Sequence, residues 1–228
     1  MNEPVHRARP AAKRAGSARK EPTRTNDPER TQANILEVAE AEFGEKGLAG
    51  ARIDEIAAAT NTSKRMIYYY FGSKEGLYLA VLEEAYRRVR DVEAELHLQD
   101  LEPEEGLRRL VAFTFDHHLH HENYIRLVMS ENIHRGEYLA QSPRIQELNV
   151  PAIAAIKNLY ERGVKAGIFR RGLNPIDIHA SISALSFFNV SNRHTFSLIF
   201  KLDMTSPAYI AERRENVVEM IVRFVRKG

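Results

Sequence analysis

Apolar side chains recur along this chain with the 3.6-residue period of helices, from about residue 28 to the last residues. Asp27-Pro28 reads as an N-cap followed by proline at the first helical position. Ile35, Leu36, Ala39 and Phe43 then hold one face, and Gly44 to Gly47 predicts the end of the first helix. A short second helix is predicted over 52–60, with Ile53, Ile56 and Ala57 as its stripe. Thr60-Asn61-Thr62 reads as a tight turn in which Asn61 takes a positive φ. The next segment, Lys64 to Phe71, is rich in strand-favouring Ile, Tyr and Phe. Three features tip it to helix: Ser63 can cap it, Ile67 and Phe71 share one face, and Gly72-Ser73 ends it. A fourth helix is predicted from Ser73 to about residue 98 through Leu77, Val81, Leu82, Ala85 and Val89. Helical patterns recur near 103–120, 123–134, 150–167, 176–191 and 207–226. There is no convincing alternating run and no internal repeat. The pattern predicts an all-α chain of about nine helices.

Charge sharpens this picture. The net charge is only +2 over 228 residues, but residues 1–24 hold seven basic side chains against two acidic ones. Residues 1–26 read as a disordered basic tail that is either simply solvated or adds affinity for phosphates. The rest of the chain is close to neutral, so any nucleic-acid surface must be local. Cysteine is absent, which excludes disulfide scaffolds, thiolate metal sites and a cysteine nucleophile. Ile178 to Asn192, the longest stretch free of Asp, Glu, Lys and Arg, is too short and too polar to span a bilayer, and no secretory signal is evident. The expectation is a cytoplasmic protein with no membrane partner.

The third helix supplies the local patch. Lys64, Arg65, Tyr68 and Tyr69 fall largely on faces that Ile67 and Phe71 leave free. Cations meet phosphates or guanine edges, and tyrosines reach phosphate oxygens and thymine methyls. Two short helices joined by a tight turn make a helix-turn-helix, whose second helix enters the major groove. Ser73-Lys74 opens the following helix, where backbone amides and the Lys74 ammonium form a phosphate clamp.

These residues resemble the TetR/AcrR-type one-component transcriptional regulators. The likeness runs from Ile35 to Tyr86, and Ser63 to Glu75 closely matches that family's SK..LYYHF.SKE signature. It implies a three-helix DNA-binding domain over 27–88, with Lys64 and Arg65 at the base-reading end. Tyr68, Tyr69 and Tyr70 are implied as groove and phosphate contacts, Lys74 as the phosphate lysine, and Arg52 as a backbone contact. Ala51 stands where a capping Thr or Ser is frequent, Asn61 where Gly is common, and Gly72 where Pro is common.

The same resemblance implies a helical domain over 89–228 that binds a small-molecule effector and forms a homodimer through the C-terminal helices. Ile178, Ile182, Leu185 and Phe188, with Ile210, Val217, Val218, Ile221, Val222 and Val225, suit a four-helix interface with a second copy or, alternatively, the monomer core. Effector candidates are Phe115, His118, Met129, Asn132 and Asn189. The layout near 176–196 is also similar to regulators of nitrogen-heterocycle and pyrimidine breakdown, which implies a small planar or weakly acidic effector. Asp116-His117-His118-Leu119-His120-His121 places two residue pairs four apart, but spacing supplies no third ligand, so no metal and no cofactor are expected. GxGxxG, P-loop, HExxH and GxSxG motifs are all absent, so catalysis is not expected either. The reading is a sequence-specific regulator, a repressor released from a pseudo-palindromic operator by its effector. The alternative is a helical adaptor or activator whose N-terminal module binds protein.

Overall fold

The computed structural model describes residues 27–228, so the basic segment 1–26 lies outside the described residues. They form ten α-helices and two one-turn 3-10 helices. The only extended pairing among them is a single bridge between Phe169 and Arg226. The helices are α1 (Pro28–Gly50), α2 (Ile53–Ala59), α3 (Lys64–Phe71), α4 (Lys74–Ala94) and α5 (Pro103–His120). They continue with α6 (Glu122–Ile133), α7 (Pro143–Lys165), α8 (Pro175–Ser191), α9 (Arg193–Phe200) and α10 (Pro207–Val225). The helix beyond the expected nine is α9. It is eight residues long and buries no residue completely.

Local chemistry accounts for most boundaries. Asp27 accepts the Arg30 amide at 3.2 Å, Ser63 that of Met66 at 3.2 Å, and Ser73 that of Gly76 at 3.0 Å. Asn61 has φ 50° in the α2–α3 turn, as its side chain permits, and Gly72 closes α3 at φ 76°. Four boundaries differ from the sequence pattern. Gly47, at φ 66°, kinks α1 instead of ending it. The cap position of α2 belongs to Arg52, while Ala51 is buried; the Arg52 amide donates to Glu42 Oε1 at 3.0 Å. α4 stops at Ala94, where left-handed His97 (φ 48°) turns Leu98 into the core. α7 begins at Pro143 under a Ser142 cap and carries Pro151 within it. Proline costs a helix one hydrogen bond, but Ile145 on one side of it and Ala152 and Ile156 on the other are all buried.

Two apolar cores hold the helices. The first joins α1–α4 to Tyr124, Ile125 and Leu127 of α6, and it also takes in Ile145 and Val190. The second packs α5, α7, α8 and α10 around Val111, Phe115, Ile156, Ile182, Val217 and Ile221. The C-terminal residues offered as dimer contacts therefore need correcting. Ile178, Ile182, Val217, Val218, Ile221, Val222 and Val225 fill the protomer's own core. The apolar side chains left outside are Ile176 and Phe188 on α8, Leu198, Ile199 and Phe200 on α9, and Met220 and Phe224 on α10.

Candidate nucleic-acid interface and effector cavity

Sequence order and packing together shape the first site. Ile53, Ile56 and Ala57 anchor α2, and fully buried Ile67 anchors α3. The rest of α3 faces outward: Lys64, Arg65, Tyr68 and Tyr69 are exposed, Tyr69 by 77%. Tyr70 is half-buried, its ring set edge-on between Tyr69 and Phe71 against the first core. A groove beside it is lined by Arg65, Tyr69 and Tyr70 with Pro28 and Gln32 of α1, so the start of α1 and the exposed side of α3 share one face.

Electrostatics on this face are not those of bare cations. The Lys64 ammonium is paired with Asp54, and that bond holds the Asp54 carboxyl below the usual carboxylate range. Arg52 lies 3.9 Å from Asp54 and 3.8 Å from Glu55. Lys46 bridges Glu42 of α1 and Glu55 of α2, which raises its own pKa. Lys74 donates to the Ala49 carbonyl at 3.3 Å, beside the kinked end of α1. Lys74 is thus tied to the α1 terminus.

The second site is a cavity of about 210 Å³ lined by α4, α5, α6, α7 and α8. Tyr86, Val89, Arg90 and Glu93 of α4 form one wall. Phe113, Thr114, His117 and His118 of α5, Tyr124 and Val128 of α6, and His179, Ser183 and Phe187 of α8 form the others. A wider outer space of about 620 Å³ between α4 and α7 shares Arg90 and Glu93 with it, so that pair stands at the neck. Burial holds His117 neutral, with its pKa lowered to about 3, and His118 likewise to about 4. Burial also lowers the pKa of His179 and raises that of the Glu93 carboxyl.

Of the five effector candidates, His118 alone lines this cavity. Phe115 packs in the second core. Met129 lines a shallow groove with Phe43 and Ile133. Asn132 is exposed and bonds the Val128 carbonyl at 2.8 Å. Asn189 bonds the Leu185 carbonyl at 2.6 Å and accepts from Arg213 at 3.1 Å, joining α8 to α10. Arg90, Glu93 and His179 lie outside the sequence expectation, and His117 enters it only as a member of the histidine run. The available signal was Arg90 and Glu93 at i,i+3 on the α4 face that also carries Tyr86 and Val89. In the histidine run, His117 and His121 stack with centroids 4.1 Å apart, and Asp116 is held by Arg214 at 2.9 Å. Among the described residues no three His, Asp or Glu side chains converge as metal ligands, and no helix is long and apolar enough to cross a membrane.

A recognition helix carrying cations and tyrosines, set on a helical body with an internal cavity, defines a DNA-binding regulator of the helix-turn-helix class. Comparison with known proteins gives the family. Residues 35–81 match the model of bacterial regulatory proteins of the tetR family, and residues 103–221 match a tetracyclin repressor-like C-terminal domain. The chain is 34% identical to the HTH-type transcriptional repressor NicS of Pseudomonas putida, over 92% of this chain and 99% of that protein. It is 37% identical to the HTH-type transcriptional repressor SCO4008 of Streptomyces coelicolor, over 60% and 69% respectively. A tetR-family regulatory protein from Rhodococcus RHA1 shares the fold with TM-score 0.66 at 20% identity, over 87% of this chain and 98% of that one. The chain belongs to the TetR family of bacterial transcriptional regulators.

Proposed function

We propose that this regulator is a homodimeric repressor whose operator complex is undone when a small molecule enters the α4–α8 cavity. In this reading residues 27–88 carry the DNA contacts, and residues 89–228 carry the dimer face and all of the cavity lining but Tyr86. The observation that carries it is the path of α4. That helix begins at Lys74, directly after the recognition helix, and its distal half forms a wall of the cavity. One rigid element therefore serves both sites. Two such subunits related by a two-fold axis would read a pseudo-palindrome with half-sites about one helical turn apart.

Lys64 and Arg65 are assigned to base edges, Tyr68, Tyr69 and Tyr70 to groove and phosphate contacts, and Lys74 and Arg52 to the DNA backbone. The test is a gel shift with the DNA flanking its own gene. Lys64→Ala and Arg65→Ala should relax base preference, whereas Lys74→Ala should weaken all sequences alike and flatten the salt dependence. Undiminished operator affinity in the triple alanine variant, with its helical content intact, would sink the assignment. The repressor names of NicS and SCO4008 support the direction of regulation.

A further inference from the structure

The cavity is chemically unbalanced in one direction. Buried nitrogens without a hydrogen-bond partner within the protein include Arg90 Nε and Nη1, His117 Nδ1 and His118 Nδ1. Arg90 Nη1 lies 2.9 Å from Glu93 Oε2 but is out of line for a hydrogen bond. A guanidinium only donates, and it cannot shed its proton, so Arg90 Nε is left without an acceptor while Nη1 has only the ion pair with Glu93. Such groups cost free energy until an acceptor arrives, and a carboxylate fits the edge of a guanidinium with two parallel bonds. Glu93 is the group with which an incoming carboxylate would share Arg90, and burial raises its carboxyl pKa above the usual carboxylate value.

Size and lining then restrict what carries that carboxylate. An apolar cavity of about 150 Å³ holds a benzene ring, so about 210 Å³ leaves room for one ring with one or two small substituents. Phe113, Tyr124 and Phe187 supply aromatic faces and edges for such a ring. Neutral His117 and His118 each offer one donor or acceptor to a ring hydroxyl or ring nitrogen.

We infer that the cavity takes a single-ring aromatic monocarboxylate, anchored by its carboxylate on Arg90 and oriented by hydrogen bonds to His117 and His118. The inference rests on the reading of this cavity as the effector site. It is tested by calorimetry on the full chain. The probes are benzoate, its ring-hydroxylated forms and the pyridine monocarboxylates, each paired with its neutral amide, and acetate as the ringless acid.

At least one ring acid should bind, its amide should be tenfold or more weaker, and acetate should give no heat. Arg90→Gln should abolish acid binding, and Arg90→Lys should restore part of it. An amide that binds as well as its acid, or no binding by any ring acid at millimolar concentration, overturns the inference. If Arg90→Gln fails to fold, the acid–amide comparison on the unaltered protein decides alone. The same compounds added to the operator complex separate the two readings. A neutral compound that releases DNA while the acids do not would leave effector control standing and remove this ligand class. An acid that binds through Arg90 without releasing DNA would keep the ligand class and remove effector control.

Discussion

Lys64 shows how much a single neighbour can alter a contact residue. Its ammonium must leave Asp54, or share it, before meeting a phosphate or a base edge. Both partners are exposed, so the exchange is cheap, but Asp54 also places a negative charge beside the DNA face. Asp54→Asn should therefore tighten operator binding a few-fold and tighten random duplex as well, giving a smaller ratio between them in paired binding curves. The buried histidines set a pH dependence of stability. His117 stays neutral down to about pH 3 and His118 to about pH 4, whereas both take a proton near 6.5 once unfolded. Between those values the unfolded chain binds more protons, so stability is level above about pH 6.5 and falls as pH drops below it. His179 acts in the same direction, whereas Glu93, whose carboxyl is raised, acts in the opposite one; Arg90 and His121 add positive charge nearby. The difference in melting temperature between about pH 7.5 and about pH 5 should shrink in His118→Gln, because one source of that slope is gone.

At the scale of helices, the cavity reaches the DNA face by two routes. α4 is the direct one. α6 is the second: Tyr124 and Val128 line the cavity, while Arg126 donates to the Gly44 carbonyl at 2.6 Å and to that of Glu45 at 3.3 Å. α6 also holds α4 through Glu131, which accepts from Tyr78 at 3.0 Å and from the Leu139 amide at 2.9 Å. A ligand that displaces α6 therefore pulls on α1, next to the Gly47 kink and the Ala49 carbonyl that Lys74 grips. Arg126→Ala should leave the cavity walls intact and weaken the coupling. Operator binding should persist, with release by the effector needing several-fold more ligand; fluorescence anisotropy of labelled operator reads this. Coupling of this kind is reciprocal, so operator DNA should weaken ligand binding by the same factor that ligand weakens DNA binding.

For the whole molecule, the proposed dimer needs a surface outside the protomer's own core. α8 has two apolar sides. Ile178 and Ile182 face inward, while Ile176 and Phe188 remain outside beside Ala180 and Ala184. α10 divides in the same way, with Met220 and Phe224 outside. α9 extends the outer surface: Phe196 packs against Phe188 at 5.4 Å and against Phe200 at 4.4 Å, while Leu198 is 81% exposed. Exposed apolar side chains on α8, and on the α9 and α10 helices that pack against it, make this the surface proposed for the dimer. Phe188→Asp and Leu198→Asp should yield folded monomers in light scattering, with operator affinity lost because one half-site cannot position the other. Ile221→Glu should instead unfold the protomer, since a carboxylate there is buried without a partner. An unaltered dimer in both aspartate variants would place the interface on another face.

Local order was written into the sequence by itself. The helical class, the caps at Asp27, Ser63 and Ser73, the positive φ of Asn61 and the cation–tyrosine face of α3 all follow from spacing and from the chemistry of adjacent residues. Those forces act within one or two turns, so a linear reading captures them. What lay beyond it depended on partners distant in the chain. The start of α7 rests on Ile145 meeting the first core across a proline, and the end of α4 on Leu98 turning into the second. The 3.6-residue period finds the apolar positions of α8 and α10 but cannot say which apolar side the protomer keeps for itself. Only the packing of α5 and α7 against those helices decides that. The cavity is the clearest case: Arg90, His117, His118 and His179 come from three helices and have no common spacing. Tertiary packing alone brings them to one space and leaves nitrogens of Arg90, His117 and His118 without a hydrogen-bond partner there, because it buries them without supplying one.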